Sequence, residues 1–550
     1  MLSVAVVAAS CGGNKKPDGS SSGQGDGLST AKVSNGDSEA KPTPGGTLTL
    51  ALEAETSGGW CMPEAQLASA GIQVANLVYD PLVAFDADFK PQPYLAQSVE
   101  VNPEHTLFTF TLRPNIKFHD GTPLTARAVK LNLDLWKGDE ATKAATGRQP
   151  LLFPLTFKDM GDVTVLDDLT FTVATKRPWV AFLDYLASGR SGIAAEAQIR
   201  ADDASCRQDL IGTGPFRIVK WDRNVELDLE RNPDYWMKDE DGVQLPYLDK
   251  VVVKPIPASP DRLAALEGGA ADAIVTAAYQ SVERVSAEPD RYNMASDTKG
   301  HRDVLYLMLN VSKPPFDDLE VRKAVRQGID RERLNRINSG GHATLANGPF
   351  DTDVVGYLPG LDPPEYDPDS ARTVLEGRNL SFTLSYAPGP SSKEVGEEIQ
   401  REMGQVGVKV DFAVLDQSTT ANKAIAGDFH MLIMRNHPGL DPDTQYPWFY
   451  STSPVNFPRL KDPELDQLWD EGRTTTDPDA RKAIYEKVNQ RMYDQAYNLW
   501  ISHPEVHLIT VKDVKNFSNY RLPDEQGVAS IEGAGMNWGW SYLTGVWRQK

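Results

Sequence analysis

The sequence predicts a mixed α/β protein built from more than one domain. Three observations carry that prediction. Apolar residues alternate with polar ones in short runs, as in Gly46-Thr-Leu-Thr-Leu-Ala-Leu52 and Val225-Glu-Leu-Asp-Leu229, the pattern of half-buried strands. Elsewhere strand, helix and strand follow one another. Leu380–Ser385 alternates, Val395, Ile399 and Met403 then recur at four-residue steps, and Val408–Phe412 alternates again. Such a β-α-β succession implies a right-handed crossover and a partly parallel sheet. The 550 residues also exceed what one core serves, so two or three domains are expected.

Composition narrows the class. A hydrophobic fraction of 40% and a charged fraction of 24% are ordinary for a soluble globular chain. The net charge of −21 opposes nucleic-acid binding, which needs clustered Lys and Arg, and equally opposes polybasic adhesion to anionic lipid. There is no GxSxG, HExxH or P-loop spacing to mark a nucleophile elbow, a zinc protease or an NTPase. No metal or cofactor is expected.

At the N-terminus Met1 to Ser10 is a short apolar run that meets Cys11 and Gly12-Gly13, and Ala8-Ala9-Ser10-Cys11 resembles a bacterial lipobox. Residues 1–11 are therefore expected to be a signal peptide with a lipid-bearing Cys11. The run is too short to span a bilayer, which takes about 20 residues. Residues 12–45 are rich in Gly, Ser, Asp, Lys and Pro and contain no aromatic, the composition of a flexible tether. Cys61 and Cys206 remain as an even pair in an oxidising compartment, a candidate disulfide; the alternative is two separate buried thiols.

The folded body opens with the alternating run to Leu52, the first strand of a main sheet. A helix is expected over Ala65–Tyr79. Leu107–Leu112 reads as a strand, and Asp120-Gly121 as a turn before a helix capped by Thr125. Gly212-Thr-Gly-Pro215 then punctuates the backbone, and Phe216–Trp221 and Val225–Leu229 alternate on either side of a turn at Asp222-Arg-Asn224. The pattern is that of a β-hairpin, closed by Arg231-Asn-Pro233 and anchored by Tyr235-Trp236.

That wording carries more than a hairpin. The run from Gly212 to Trp236, GTGPFRIVKWDRNVELDLERNPDYW, resembles the signature of the bacterial extracellular solute-binding proteins of family 5. These are the oligopeptide-, dipeptide- and nickel-type binding subunits of ABC importers. Phe118-His-Asp-Gly-Thr-Pro-Leu-Thr125 is similar to a second family segment, departing from it at Ala128, where the family usually has an acidic residue. The resemblance covers nearly all of residues 46–550. It implies a two-lobed periplasmic-binding-protein-like fold of type II, cluster C, with an extra subdomain. Lobe I would comprise residues 46–75, 208–310 and 508–550; the subdomain 76–207; lobe II 311–507. The implied function is capture of a small solute, most often a peptide, between lobes that close by hinge motion and then dock on a membrane permease with its ATPases. The protein would act as a monomer, lipid-anchored on the extracytoplasmic face of the cell membrane. Non-peptide solutes such as oligosaccharides, opines and nickel chelates are the alternative ligands. A secreted hydrolase or a surface sensor is the alternative of a different class.

The remaining elements fit that plan. Lys250–Lys254 reads as a buried strand, Ser259-Pro260 as a helix start, and Asp272–Val275 as a strand. Val304–Leu309 is a further apolar strand, with the lobe boundary expected near Asn310. Asp317 and Glu320 have the spacing of a capping box. Met431–Met434 is a short buried strand, and Asp477-Pro478 opens a helix. His503 and His507 flank Pro504 and do not form HExxH. The tail, with Trp538, Trp540 and Trp547, is expected to bury against lobe I.

Candidate ligand contacts follow from the resemblance. The loop after the first strand faces the cleft in the family, which nominates Trp60; its alternative is a core aromatic. The segment after Met434 lies beyond a strand end, where ligands of α/β sheets bind. It nominates Asn436, Asp441, Asp443, Tyr446 and Trp448. In peptide-binding relatives an acidic residue of this loop pairs with the peptide's ammonium, and Asp441-Pro442-Asp443 resembles that loop. The alternative is that both aspartates only shape a turn.

Overall fold

The computed structural model describes residues 33–56, 59–62, 64–65, 67, 69–86, 88–150, 153–297, 302–361, 366–387, 391–415, 417–436, 439–518, 522–523, 529–530 and 543–550. Cys11 with the expected signal peptide, and Trp538 and Trp540 of the tail, lie outside them.

The expected first strand, Thr47–Leu52, is central in a seven-stranded sheet. It pairs in parallel with Lys250–Pro255, Leu48 beside Val251 and Leu50 beside Val253, so that one face of each strand feeds the same core. The hairpin Phe216–Asp222 and Glu226–Arg231 forms one end of this sheet, its turn made by Asn224 in the left-handed region (φ 59°). Ala273–Thr276, His507–Val511 and Tyr292–Ser296 complete the other end. This sheet and its helices form lobe I.

The signature owes its glycines to a close approach. A Cβ on Gly212 would stand 2.0 Å from the Val78 carbonyl oxygen, and one on Gly214 2.5 Å from the Val78 carbonyl carbon. Bare backbone therefore lies against the end of the helix Ser69–Val78, and Gly214 N–H donates to Val78 O (2.9 Å). The polar members of the signature converge on Asp80, which is fully buried. Trp236 Nε1–H and Thr213 Oγ1–H each donate to its Oδ2 at 2.9 Å, and the Tyr235 hydroxyl donates to Oδ1 at 3.3 Å. Burial raises the Asp80 pKa to about 6 against these three stabilising donors.

The subdomain is a four-stranded antiparallel sheet in the order Ala96–Val101, Leu107–Leu112, Thr170–Thr175, Met160–Val165. Phe110 and Phe171 stack on one face, and Trp136, Phe157, Trp179 and Phe182 fill the core beneath. Thr125 caps the helix Ala126–Trp136 as expected, accepting from Ala128 N–H. Cys61 and Cys206 are bonded, tying the loop after the first strand to the helix Asp203–Gln208.

Lobe II holds a six-stranded sheet in the order Thr344–Leu345, Asn498–His503, Val304–Leu309, Met431–Asn436, Ser381–Tyr386, Lys409–Val414. Ser381–Tyr386 pairs in parallel with Lys409–Val414 across the helix Ser392–Gln405, the β-α-β unit read from the sequence. Val304–Leu309 corrects the expected lobe boundary. It is fully buried and pairs on both sides with lobe II strands, so lobe II starts ahead of Val304 rather than at 311. Apolar alternation identified the strand but does not say which sheet receives it. Two segments thus cross between lobes, one from Ser296 to Val304 and one from His503 to His507.

Two further expectations shift. Asp318, not Asp317, caps the helix Leu319–Gln327, accepting from Glu320 N–H. The end of the expected tether is packed: Met294 N–H donates to Ser34 O (2.7 Å), Asn516 N–H to Gly36 O (3.0 Å) and Gly45 N–H to Tyr247 O (2.7 Å). Val33 brings the apolar side chain that this strap buries in lobe I.

Candidate ligand site between the lobes

The segment after the strand Met431–Asn436 is held by arginines. Asp441 caps a 3-10 turn, Pro442–Gln445, by accepting from Asp443 N–H at 2.9 Å. Both of its oxygens also take Arg481 at 2.6 Å, a bidentate pair. Asp443 is sealed from solvent. It accepts from Arg473 Nε at 2.9 and 3.1 Å and from Trp179 Nε1 of the subdomain at 3.0 Å, while Tyr185 donates to its carbonyl. Neither carboxylate is open to a ligand's ammonium in this arrangement. An amine would have to displace a guanidinium already in place.

Arg473 is the centre of this seam. It too is fully buried; its Nη1 reaches Asp159 of the subdomain at 2.9 Å, and its plane is flanked by Tyr446 (3.9 Å to the ring centroid) and Trp179 (4.9 Å). Its pKa stands well above the guanidinium range: burial opposes the charge, and Asp443, Tyr185 and Asp159 outweigh it. Tyr446 therefore packs inside the seam, donating to Asp470 (3.1 Å), with Lys158 of the subdomain over its ring. Arg177 of the subdomain bonds Asp159 and Asp470, both at 2.9 Å. Trp448 sits against Phe457, and Asn436 donates to Gln445 Oε1 at 3.4 Å. Trp60 is a core residue of lobe I, edge-on to Trp221, so it is not brought together with the lobe II residues.

Beside the crossovers a second set of charges joins the two lobes. Arg435, on the last strand before the nominated segment, donates through Nη2 to Glu53 Oε1 of lobe I and through Nε to Asp303 Oδ2, both at 3.0 Å. Glu53 follows directly on the first strand of lobe I. Arg435 has a raised pKa owing to Glu53, against burial, with Asp303 adding to it.

Arg190 stands apart. It follows the helix Phe182–Ala187 and donates through Nε to Leu67 O (3.0 Å), in the loop after the first strand. Burial alone lowers its pKa, and among the described residues no carboxylate pairs with it. Asp184, on that helix, has its pKa pushed well up by burial and by the charge of Asp441, with Arg481 opposing. Among the described residues no three His, Cys, Asp or Glu side chains are arranged to hold a metal ion; His503 bonds Asp303 O and His507 bonds Ser296 separately.

None of the arginines was nominated from the sequence. Arg473 and Arg481 lie on helices in runs of charged residues, where an ion-pairing arginine and a solvated one look alike. The one usable signal was the Asp-Pro-Asp turn, whose paired carboxylates call for cations from elsewhere in the chain.

The sequence profile described as "Bacterial extracellular solute-binding proteins, family 5 Middle" matches residues 90–457. The chain belongs to this family. The family-5 assignment agrees with the glutathione-binding protein GsiB of Pectobacterium atrosepticum, 27% identical over 467 residues, covering 82% of this chain and 87% of that relative. Among solved structures, AgaA from A. tumefaciens R10 in complex with agropinic acid superposes with a TM-score of 0.79 at 24% identity, covering 92% of this chain and 99% of AgaA. DppA from Helicobacter pylori in complex with the peptide STSA gives a TM-score of 0.80 at 22% identity, with coverages of 92% and 99%. The fold of this family-5 protein is the cluster C periplasmic binding-protein fold.

Proposed function

We propose that this protein is the solute-capturing subunit of an ABC importer. It closes its lobes around a small carboxylate-bearing solute, a peptide first among the candidates, and releases it unchanged to a membrane permease. The observation that carries the ligand chemistry is Arg190: a half-buried guanidinium with one nitrogen spent on Leu67 O and no acidic partner among the described residues. Partial burial weakens the hydration of an unpaired guanidinium, so a solute carboxylate arriving there gains a charge-assisted contact. GsiB is named for glutathione and DppA is solved with a peptide; both ligands carry carboxylates, as does the agropinic acid of AgaA.

Titration calorimetry with glutathione and with short peptides, each as free acid and as C-terminal amide, tests this reading. The free acid of the bound compound should lose about 10- to 100-fold in affinity on Arg190→Ala, and its amide should lose little. Equal losses for acid and amide would remove Arg190 from the ligand site. Chemical conversion of a bound compound would remove the transport reading itself. Lipid attachment at Cys11 belongs to the same proposal: labelled palmitate should enter the wild-type chain and not Cys11→Ser.

A further inference from the structure

Both sets of charges that cross between the lobes share a design. Beside the crossovers, Arg435 is held by Asp303, whose carbonyl is bonded to His503 of the second crossing segment. Arg435 and Asp303 stay together on the lobe II side however the lobes turn. Glu53, on lobe I, has a side chain one-third exposed, so parting from Arg435 leaves its carboxylate facing solvent rather than stranded in a dry site. The bond between Glu53 and Arg435 can therefore break with neither charge abandoned.

The seam between subdomain and lobe II repeats the arrangement. Arg473 keeps Asp443, both in lobe II, and Asp159 keeps Arg177, both in the subdomain. The contacts that cross include Arg473 to Asp159 and to the Tyr185 hydroxyl, Arg177 to Asp470, Trp179 and Tyr185 to Asp443, and Lys158 to Tyr446. Removing one partner from a buried ion pair is strongly destabilising because it strands a charge. Here each buried charge that crosses has a companion on its own side, and Asp470, one-third exposed, keeps the Tyr446 and Tyr450 hydroxyls of lobe II.

We infer that these two sets of ion pairs are a reversible closure latch: Glu53–Arg435 and Asp159–Arg473 form when the lobes shut and part when they open, each buried charge retaining a partner within its own body and Glu53 turning to solvent. The latch acts on the closed population itself, whichever solute occupies the cleft. It extends the capture reading and does not depend on Arg190.

Spin labels on Val225→Cys, at the exposed hairpin turn of lobe I, and Val414→Cys, on the exposed edge strand of lobe II, report the lobe separation by pulsed electron resonance. The full chain is measured without ligand and with millimolar glutathione as probe. Glu53→Gln should shift the ligand-free distribution toward the longer distance, lowering the closed-to-open ratio about 3- to 30-fold, with the thermal midpoint nearly unchanged. Arg435→Gln should shift it likewise, and the two together by less than the product of the separate effects. Raising salt from 0.05 to 1 M should open the wild type more than Glu53→Gln. An unchanged distribution in Glu53→Gln, or multiplicative effects in the double variant, would overturn the latch. Should Arg435→Gln fail to fold, Glu53→Gln and the salt series decide alone. Failure of glutathione to close any variant bears on the solute and leaves these ligand-free outcomes decisive.

Discussion

Asp80 receives donors from Thr213, Tyr235 and Trp236, yet it is so deeply buried that its proton is held to about pH 6. The sign of the consequence follows from linkage. The folded state binds this proton more tightly than an unfolded chain with the ordinary value of 3.8, so folding gains from it at low pH and loses that gain as pH rises from about 4 through 6. A shift of about two units corresponds to about 3 kcal/mol. Asp80→Asn carries no titrating group there. In urea denaturation the stability advantage of wild type over Asp80→Asn should be about 3 kcal/mol larger at pH 4 than at pH 7. A difference that stays flat across that range would show that Asp80 is charged throughout. Asp443 illustrates the opposite outcome of burial. Supplied with Arg473 and Trp179, it serves the seam between subdomain and lobe II, and the ammonium pairing suggested by its Asp-Pro-Asp setting has no free carboxylate to use.

Among elements, the join between the helix Ser69–Val78 and the strand Phe216–Asp222 is the most exacting. Gly212→Ala would place a methyl group 2.0 Å from Val78 O, and the helix end must then move off the strand. The variant should lose about 2 kcal/mol or more in denaturant unfolding. Gly404→Ala, in the helix Ser392–Gln405 with open space around its Cβ position, should be neutral or stabilising by up to about 1 kcal/mol. Similar costs at both positions would refute the close-approach argument. The hairpin, the first strand and the β-α-β unit of lobe II were legible because alternation and helical spacing are local. The lobe receiving Val304–Leu309 was not, since pairing partners 122 to 197 residues further along decide it. The site was legible only as a neighbourhood. The strand end at Asn436 was located, but Arg190, Arg435, Arg473 and Glu53 acquire their roles from contacts that no run of neighbouring residues encodes.

At the scale of the whole molecule, Cys61–Cys206 closes a chain segment of 145 residues that contains the subdomain. Restricting so long a segment in the unfolded chain should contribute about 2–5 kcal/mol. The double substitution Cys61→Ser, Cys206→Ser should lower stability by that amount in guanidinium, and reduction of the wild type should reproduce it. A variant as stable as wild type would mean that the covalent tie is redundant with the packing around it. The two crossing segments, with the paired charges beside them, join lobe II to lobe I.

The strap from Val33 to Gly45 is laid along lobe I, bonded at Met294, Asn516 and Tyr247. Any pull on the residues ahead of it is therefore delivered to lobe I, where these bonds lie. Lobe I is thereby the stator of the trap and lobe II the rotor, and a leash attached upstream could tighten or slacken without prising the mouth open.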